Sequence, residues 1–171
     1  MRPLTRLIFG LIVAQAATLS LAQSAAAPAV DPGTSSGPKL YWQASPFTWH
    51  YKPSDEHETV LMVGLEREHA NGKIDGFTLF TNSFGQESGY LYPWGGVYHH
   101  IWGVAPLSFK WTAGFMYGYV APYEDKVPFN YKGLSLVAIP ALVYTFKSGW
   151  SAQASILGTA GMMFQVNAPL N

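Results

Sequence analysis

The feature that most constrains the fold is a series of short, aromatic-rich segments in which polarity alternates at every second position. In the clearest segment, residues 107–120, one parity holds Phe, Trp, Ala and Tyr, and the other holds mainly Lys, Thr, Gly and Met. A period of two predicts β-strands whose side chains point to opposite faces. A soluble β-sandwich also alternates, but it would not keep Gly and Thr for its core. The pattern therefore favours a barrel with lipid outside and small side chains inside.

Eight segments of this kind follow one another after residue 39, and none is an apolar run of the roughly 20 residues that a spanning helix needs. Eight strands is the smallest number found in closed membrane barrels. The predicted fold class is all-β, an eight-stranded antiparallel transmembrane β-barrel of the outer membrane. The predicted strands are 40–51, 59–69, 73–83, 90–102, 107–120, 134–146, 150–157 and 159–166.

The first 39 residues do not share the strand pattern. Arg2 and Arg6 precede an apolar stretch that ends near Leu21, and a run of small residues follows at 24–27. This is the composition of a cleavable secretory signal, although an uncleaved anchor is the alternative. We expect a signal peptide at 1–27, a flexible periplasmic tail at 28–39, where Pro, Gly and Ser prevail, and the barrel domain at 40–171. The expected location is the outer membrane of a Gram-negative bacterium.

Composition restricts the class of partner. Ten basic and ten acidic residues cancel, and only 12% of residues are charged, which indicates neither nucleic acid nor an electrostatically steered partner. The chain has no cysteine, so its stability depends on burial or on the bilayer and not on disulfides. Aromatic residues make up 15% and match the girdles of membrane barrels. We expect a monomer that uses the barrel-assembly machinery and holds no metal and no cofactor.

Turn chemistry places three polar residues at one rim. Asn71-Gly72 is the dipeptide of a type I′ hairpin turn, and tight turns of such barrels are periplasmic whereas long loops are extracellular. The second strand therefore descends to Asn71, and the first and third climb to an outer rim that contains His50, Asn82 and Ser83. A hydroxyl, an imidazole and a polar group that orients the imidazole are the residue types used in nucleophilic or proton-transfer sites.

The lumen above the strand midpoints is predicted to be apolar. Residues 60–65 and 77–80 are apolar on both faces, whereas an aqueous pore needs a polar lumen. With Gly114, Met116 and Gly118 lining it, such a cavity would admit an extended acyl chain; a packed apolar plug is the alternative. Charged residues nearer the periplasmic end are expected to form a polar cluster in the lumen: Glu66, Arg67, Glu68 and Lys110.

Four short stretches carry a family resemblance. They are Ser45–His50, Gly64–Arg67, Phe80–Phe84 and Val137–Leu142. In their order and approximate spacing the chain resembles the PagP family of outer-membrane lipid A palmitoyltransferases, over most of residues 40–166. The resemblance implies a barrel that takes a palmitoyl-type acyl chain from the sn-1 position of a phospholipid donor and passes it to a lipid A acceptor.

The resemblance also implies roles for individual residues. His50 and Ser83 match the active-site His and Ser of the family, and Asn82 stands where the family has Asp. We expect His50 to act as acid and base, Ser83 to handle a proton or position the acyl group, and Asn82 to orient His50. Pro46 and Pro140 match strand prolines that remove ladder hydrogen bonds and open lateral gaps for lipid entry.

Two alternatives to this acyltransferase remain. One is a non-enzymatic outer-membrane barrel, either structural or a narrow transporter; an aqueous conduit is not expected to have an apolar upper lumen. The other is a lipid A deacylase or an outer-membrane phospholipase, which also uses Ser and His, but the chain lacks the motif in which those families place the pair.

Overall fold

The barrel is closed and entirely antiparallel. The computed structural model describes residues 37–170, and their eight strands each pair with the next along the chain, with β8 pairing back to β1. The predicted all-β, eight-stranded antiparallel fold is thus confirmed. The signal peptide expected at 1–27 and most of the tail expected at 28–39 lie outside the described residues. The strands are β1 Lys39–His50, β2 Met62–Glu68, β3 Ile74–Thr81, β4 Glu87–His99, β5 Leu107–Tyr117, β6 Leu134–Thr145, β7 Ser151–Leu157 and β8 Gly161–Pro169.

Two short 3₁₀ helices, Ile101–Gly103 and Glu124–Lys126, interrupt the loops. Within the described part of the chain no helix is long and apolar enough to cross a membrane.

The predicted strands are all present, but several end at other residues than expected. β4 begins at Glu87, three residues earlier than predicted, because only a tight turn separates it from β3. β5 ends at Tyr117 and not at Val120, since Gly118 has a φ of 130°, which lies outside the β region. These differences move the boundaries and leave the order of the strands unchanged.

The outer and inner faces of the wall differ in polarity. Most inward positions of the lower half, the end where β1 begins and β8 ends, are polar and buried, although Ile74 and Val143 are apolar. Here Gln153 donates a 2.8 Å hydrogen bond to Gln165 across β7 and β8. Such buried amides are stable because they are paired with one another. The outer face is apolar on every strand, as the exposed side chains of Trp42, Leu65, Phe77, Leu91, Phe115, Leu142, Ile156 and Phe164 show.

A buried ion pair lies in the lower lumen. The Nζ of Lys110 on β5 lies 2.8 and 3.0 Å from the carboxylate oxygens of Glu66 on β2, and both side chains are at most 6% exposed. The Tyr92 hydroxyl lies 3.3 Å from the same carboxylate and 3.1 Å from the Gln43 side-chain oxygen. The pair and its two neighbours therefore connect four strands across the interior.

The prediction of a polar cluster in the lumen is confirmed for Glu66 and Lys110 and wrong for Arg67. Arg67 has the opposite parity to Glu66, and its guanidinium pairs with Asp75 on the exposed face. Glu68 lies at the short-turn end, where its carboxylate is 3.1 Å from the Nε2 of His99.

The buried ion pair generates a stability prediction. Lys110→Met would leave the Glu66 carboxylate buried without its partner, and we expect it to lower the free energy of unfolding by about 3–5 kcal/mol. The double variant Lys110→Met with Glu66→Gln should recover much of that loss, because it leaves no buried charge. Equilibrium urea unfolding followed by tryptophan fluorescence measures both.

Arg67→Met is the matched control for that experiment. It removes an ion pair whose arginine side chain is 49% exposed, so the free energy of unfolding should change by less than about 1 kcal/mol. Equal losses from Lys110→Met and Arg67→Met would contradict a special role of the buried pair.

Candidate functional site

The end of the barrel with the long loops brings His50 and Ser83 together. β1 ends at His50, β3 ends two residues before Ser83, and the His50 Nε2 lies 2.7 Å from the Ser83 Oγ. When Nε2 is unprotonated the hydroxyl donates to it, and when it is protonated the hydroxyl oxygen accepts. A proton can therefore pass between an imidazole and a hydroxyl at this rim.

Asn82 is fully buried beside Ser83, but its amide has other partners than His50. Its Oδ1 accepts hydrogen bonds from the backbone N–H groups of Phe84 and Gln86, at 2.9 and 3.1 Å. Its Nδ2 donates to the Gln86 side-chain oxygen at 3.1 Å and to the Gly118 carbonyl at 3.2 Å. The expected role of Asn82 in orienting His50 is thus not supported, because these bonds hold the β3–β4 loop.

This bonding explains why an amide suits position 82. An ionised carboxylate accepts hydrogen bonds only, so an Asp there could not donate to the Gly118 carbonyl or to Gln86. The loop that presents Ser83 requires a side chain that both accepts and donates.

His57 belongs to the site although the sequence pattern did not identify it. The β1–β2 loop folds back over the rim, where the Glu58 N–H donates to the Ser83 carbonyl at 2.9 Å. The His57 ring then stacks on the His50 ring, with centroids 4.1 Å apart and an interplanar angle of 31°. The one sequence signal was a second histidine in the loop that leaves the same strand end, and loops have no periodicity that would predict its contacts.

Aromatic rings form the wall behind His57. Phe84 meets His57 edge to face at 5.6 Å and stacks on Tyr123 at 4.1 Å. Tyr119, whose ring lies 6.4 Å from that of Phe84, is in the loop beyond β5, and burial raises the pKa of its hydroxyl to about 12. The hydroxyl of Tyr119 is therefore protonated near neutral pH, and this wall carries no charge.

The three residues expected to line an acyl pocket do not all lie on one face of β5. Gly114 is buried on β5, where a Cβ would collide with the β4 backbone at Leu91 and Tyr92, beside the irregularity in the β4–β5 ladder. Met116 is half-buried at the same parity. Gly118 lies beyond the end of β5, and its carbonyl accepts the Asn82 amide, so it supports the rim loop and does not line a strand face.

Pro46 lies where the β1–β2 ladder ends. The last paired residues are Ser45 and Met62, so the part of β1 from Pro46 to His50 has no partner on β2. On the other side of β1 the register with β8 shifts between Ala44 and Phe47. Because proline has no N–H, the Ser45 hydroxyl donates to the Phe164 carbonyl instead, at 2.7 Å.

Pro140 lies at a second interruption. The β6–β7 ladder runs from Thr145↔Ser151 to Ala141↔Ser155 and ends there, so the upper part of β6, from Leu134 to Pro140, has no partner on β7. An apolar groove of about 480 Å³ opens on the outer face at this point, with Pro140 and Ile156 in its lining. The upper half of the wall thus has two lateral gaps in its backbone ladder, each beginning at a proline.

Among residues 37–170 no group of three or more His, Asp or Glu side chains is arranged to hold a metal ion. Comparison of the chain with protein-family models, with curated proteins and with solved structures gave no significant match. The family resemblance found in the sequence therefore remains an expectation, and the function has to be inferred from the residues of this chain.

The bonds of Asn82 generate a prediction about the loop. Asn82→Ala removes the acceptor of the Phe84 and Gln86 amides, and each such hydrogen bond contributes about 1 kcal/mol. We expect hydrogen exchange at these two amides to become about fivefold faster, since 1.4 kcal/mol corresponds to a factor of ten and about 1 kcal/mol to a factor of about five.

Asn71→Ala is the control, because the Asn71 side chain accepts the Lys73 N–H at the other end of the barrel. It should speed exchange at Lys73 and leave Phe84 and Gln86 unchanged. Unchanged exchange at Phe84 and Gln86 in the Asn82→Ala variant would contradict the assigned role.

Proposed function

We propose that this chain is an outer-membrane acyltransferase that moves a palmitoyl-type acyl chain from the sn-1 position of a phospholipid to lipid A. The observation that carries the proposal is the His50–Ser83 pair, 2.7 Å apart, at the end of the barrel whose lumen contains the buried side chains of Val60, Met62 and Tyr90. The motif resemblance to the PagP family supports the same activity, although Asn82 replaces the family Asp.

The polarity of the wall supports a membrane location. Large apolar side chains are exposed on all eight strands, while Gln, Ser, Asn and one ion pair are buried inside. This arrangement suits lipid outside the barrel. A closed barrel has no free strand edge, which supports a monomer. Export by the expected signal peptide and insertion by the barrel-assembly machinery belong to the same proposal.

The two halves of the lumen support a binding site for an acyl chain. In the upper half, Val60 and Met62 are buried, and the Tyr90 hydroxyl donates to Thr112, so its ring offers an apolar surface. The Tyr92 ring lies next to that of Tyr90, with centroids 5.1 Å apart, and its hydroxyl joins the Glu66 carboxylate below. An acyl chain that enters from the rim would end above this polar floor, because burying methylenes against a charge pair is unfavourable.

The proposed reaction transfers one acyl group between two hydroxyl oxygens. Neutral His50 takes the proton of the lipid A hydroxyl as its oxygen attacks the ester carbonyl of the phospholipid. The carbon–oxygen bond to the glycerol then breaks, and the leaving oxygen takes the proton back from the imidazolium. Ser83, bonded to Nε2, helps to hold that proton or to position the acyl group. The products are a lysophospholipid and an acylated lipid A.

The gaps at Pro46 and Pro140 support lateral entry of lipids. Both donor and acceptor reside in the membrane, so their chains need a route through the wall to reach the lumen. A complete ladder of hydrogen bonds would close that route, whereas both ladders end at a proline in the same half as His50.

The alternatives predict other outcomes. In the lower lumen, buried amides and the Glu66–Lys110 pair bond to one another across the interior, which does not favour a water-filled conduit. A non-enzymatic structural barrel would leave lipid A unchanged, and a deacylase would remove mass from it.

The function can be tested in a strain that lacks its own lipid A acyltransferase. Expression of the chain should add the mass of one acyl group to lipid A, and His50→Ala should abolish the addition because no base remains. Ser83→Ala should lower it at least tenfold. Mass spectrometry of lipid A measures the result at matched levels of folded protein.

His100→Ala is the control, because His100 is exposed at the opposite end of the barrel. It should keep full activity. An unchanged lipid A spectrum with folded wild-type protein would contradict the proposal and favour the non-enzymatic barrel, and a loss of mass would favour the deacylase.

Closing a lateral gap should slow the transfer. Pro140→Cys with Ile156→Cys would place two cysteines across the first unpaired outward positions of β6 and β7, in a chain that has no other cysteine. We expect the oxidised protein to lose activity at least tenfold, because lipid can no longer pass, and to regain it on reduction. Acyl transfer in detergent micelles, before and after reduction, measures the effect.

The matched control is Leu142→Cys with Ala154→Cys. These two positions face each other in the paired part of the same ladder, so a disulfide there does not close the gap at Pro140. Equal activity of both oxidised proteins would contradict entry at Pro140.

A further inference from the structure

The ring of His50 has no group of the usual kind to orient it. Within residues 37–170 it forms one side-chain hydrogen bond, from Nε2 to Ser83, and no carboxylate lies within salt-bridge distance of it, whereas His69 and His99 each pair with a carboxylate. The hydrogen bonds of the Asn82 amide go to the β3–β4 loop and to the Gly118 carbonyl. In hydrolytic triads a carboxylate or amide on the second ring nitrogen sets the tautomer and the orientation of the imidazole.

His57 occupies the face of that ring. Its centroid is 4.1 Å from that of His50, and its other side meets the edge of Phe84, which is itself stacked on Tyr123. The loop that carries it is held at Glu58, whose N–H donates to the Ser83 carbonyl. His57 is therefore fixed with respect to both His50 and Ser83.

Few polar groups surround the two histidine rings. Within residues 37–170, the Nδ1 of His57 is buried and has no hydrogen-bond partner. Few other groups face His50: β8 presents only Gly161 opposite it, and the charged residues of the β1–β2 loop are exposed, namely Lys52, Asp55, Glu56 and Glu58.

We propose that His57 is a positioning residue for His50, acting through the face of its ring. The stack fixes the plane of the His50 imidazole so that Nε2 stays directed at Ser83. The catalytic consequence rests on the proposed acyl transfer, whereas the orientation of His50 does not.

Two substitutions separate the contribution of the aromatic face of His57 from that of its ring nitrogen atoms. His57→Phe keeps an aromatic face and should preserve kcat within about threefold, while His57→Ala removes the face and should lower kcat at least tenfold with KM within about twofold. Glu56→Ala, an exposed position on the same loop, is the control and should change neither parameter. An alanine variant with unchanged kcat, or a phenylalanine variant as slow as the alanine variant, would overturn the proposal.

An NMR measurement tests the orientation without any activity. In the full-length barrel folded in micelles, the ¹⁵N shifts of the His50 ring should report one tautomer, hydrogen-bonded through Nε2, in the wild type and in His57→Phe. In His57→Ala they should report averaging of the two tautomers; unchanged shifts there would overturn the proposal. If the wild-type protein were inactive but the NMR result held, the acyl transfer would be wrong and the positioning by His57 would stand.

Discussion

The closed ladder of backbone hydrogen bonds is the constraint on which the rest of the structure depends. Eight strands pair all the way around, so few backbone groups are left unpaired and the side chains decide what each face meets. Two breaks in the ladder begin at Pro46 and Pro140, and both lie in the half of the barrel that carries His50. At Pro46 the Ser45 hydroxyl replaces the missing N–H donor, so the break is accommodated without an unpaired Phe164 carbonyl.

The two halves of the lumen differ in their contribution to stability. The side chains of the lower half stabilise the barrel, whereas the upper half can accommodate a ligand. The ion pair of Glu66 and Lys110 and the amides of Gln153 and Gln165 fill the lower half with bonds that have to be made together, since any one left unpaired would be costly. The upper half contains apolar side chains and the Tyr90 ring beside buried hydroxyls such as those of Ser88 and Ser135. A ligand of the upper lumen therefore leaves the ion pair and the amide bonds of the lower half intact.

Much of the fold could be predicted because a strand that separates two environments alternates residue by residue. That alternation gave all eight strands, and Asn71-Gly72 gave the direction of the first three, which was sufficient to bring His50 and Ser83 to one rim. Parity also explains the error at Arg67, which was grouped with Glu66 although neighbouring residues of a strand face opposite sides. The partners of Asn82 and the stack of His57 could not be predicted, because both depend on how loops fold back over the rim.

Those two unpredicted features together explain how this site can dispense with a carboxylate. A carboxylate at position 82 would help an imidazolium, but it could not donate the two hydrogen bonds by which Asn82 attaches the Ser83 loop to Gln86 and to the Gly118 carbonyl. Holding the Ser83 loop and orienting His50 are separate tasks. Asn82 performs only the first of them, because all its hydrogen bonds go to the loop and to Gly118. Under the proposed acyl transfer, the second task passes to the ring of His57, which stacks on that of His50. Because an aromatic face needs no counter-charge, orientation of the base by stacking requires no second ionised group beside His50.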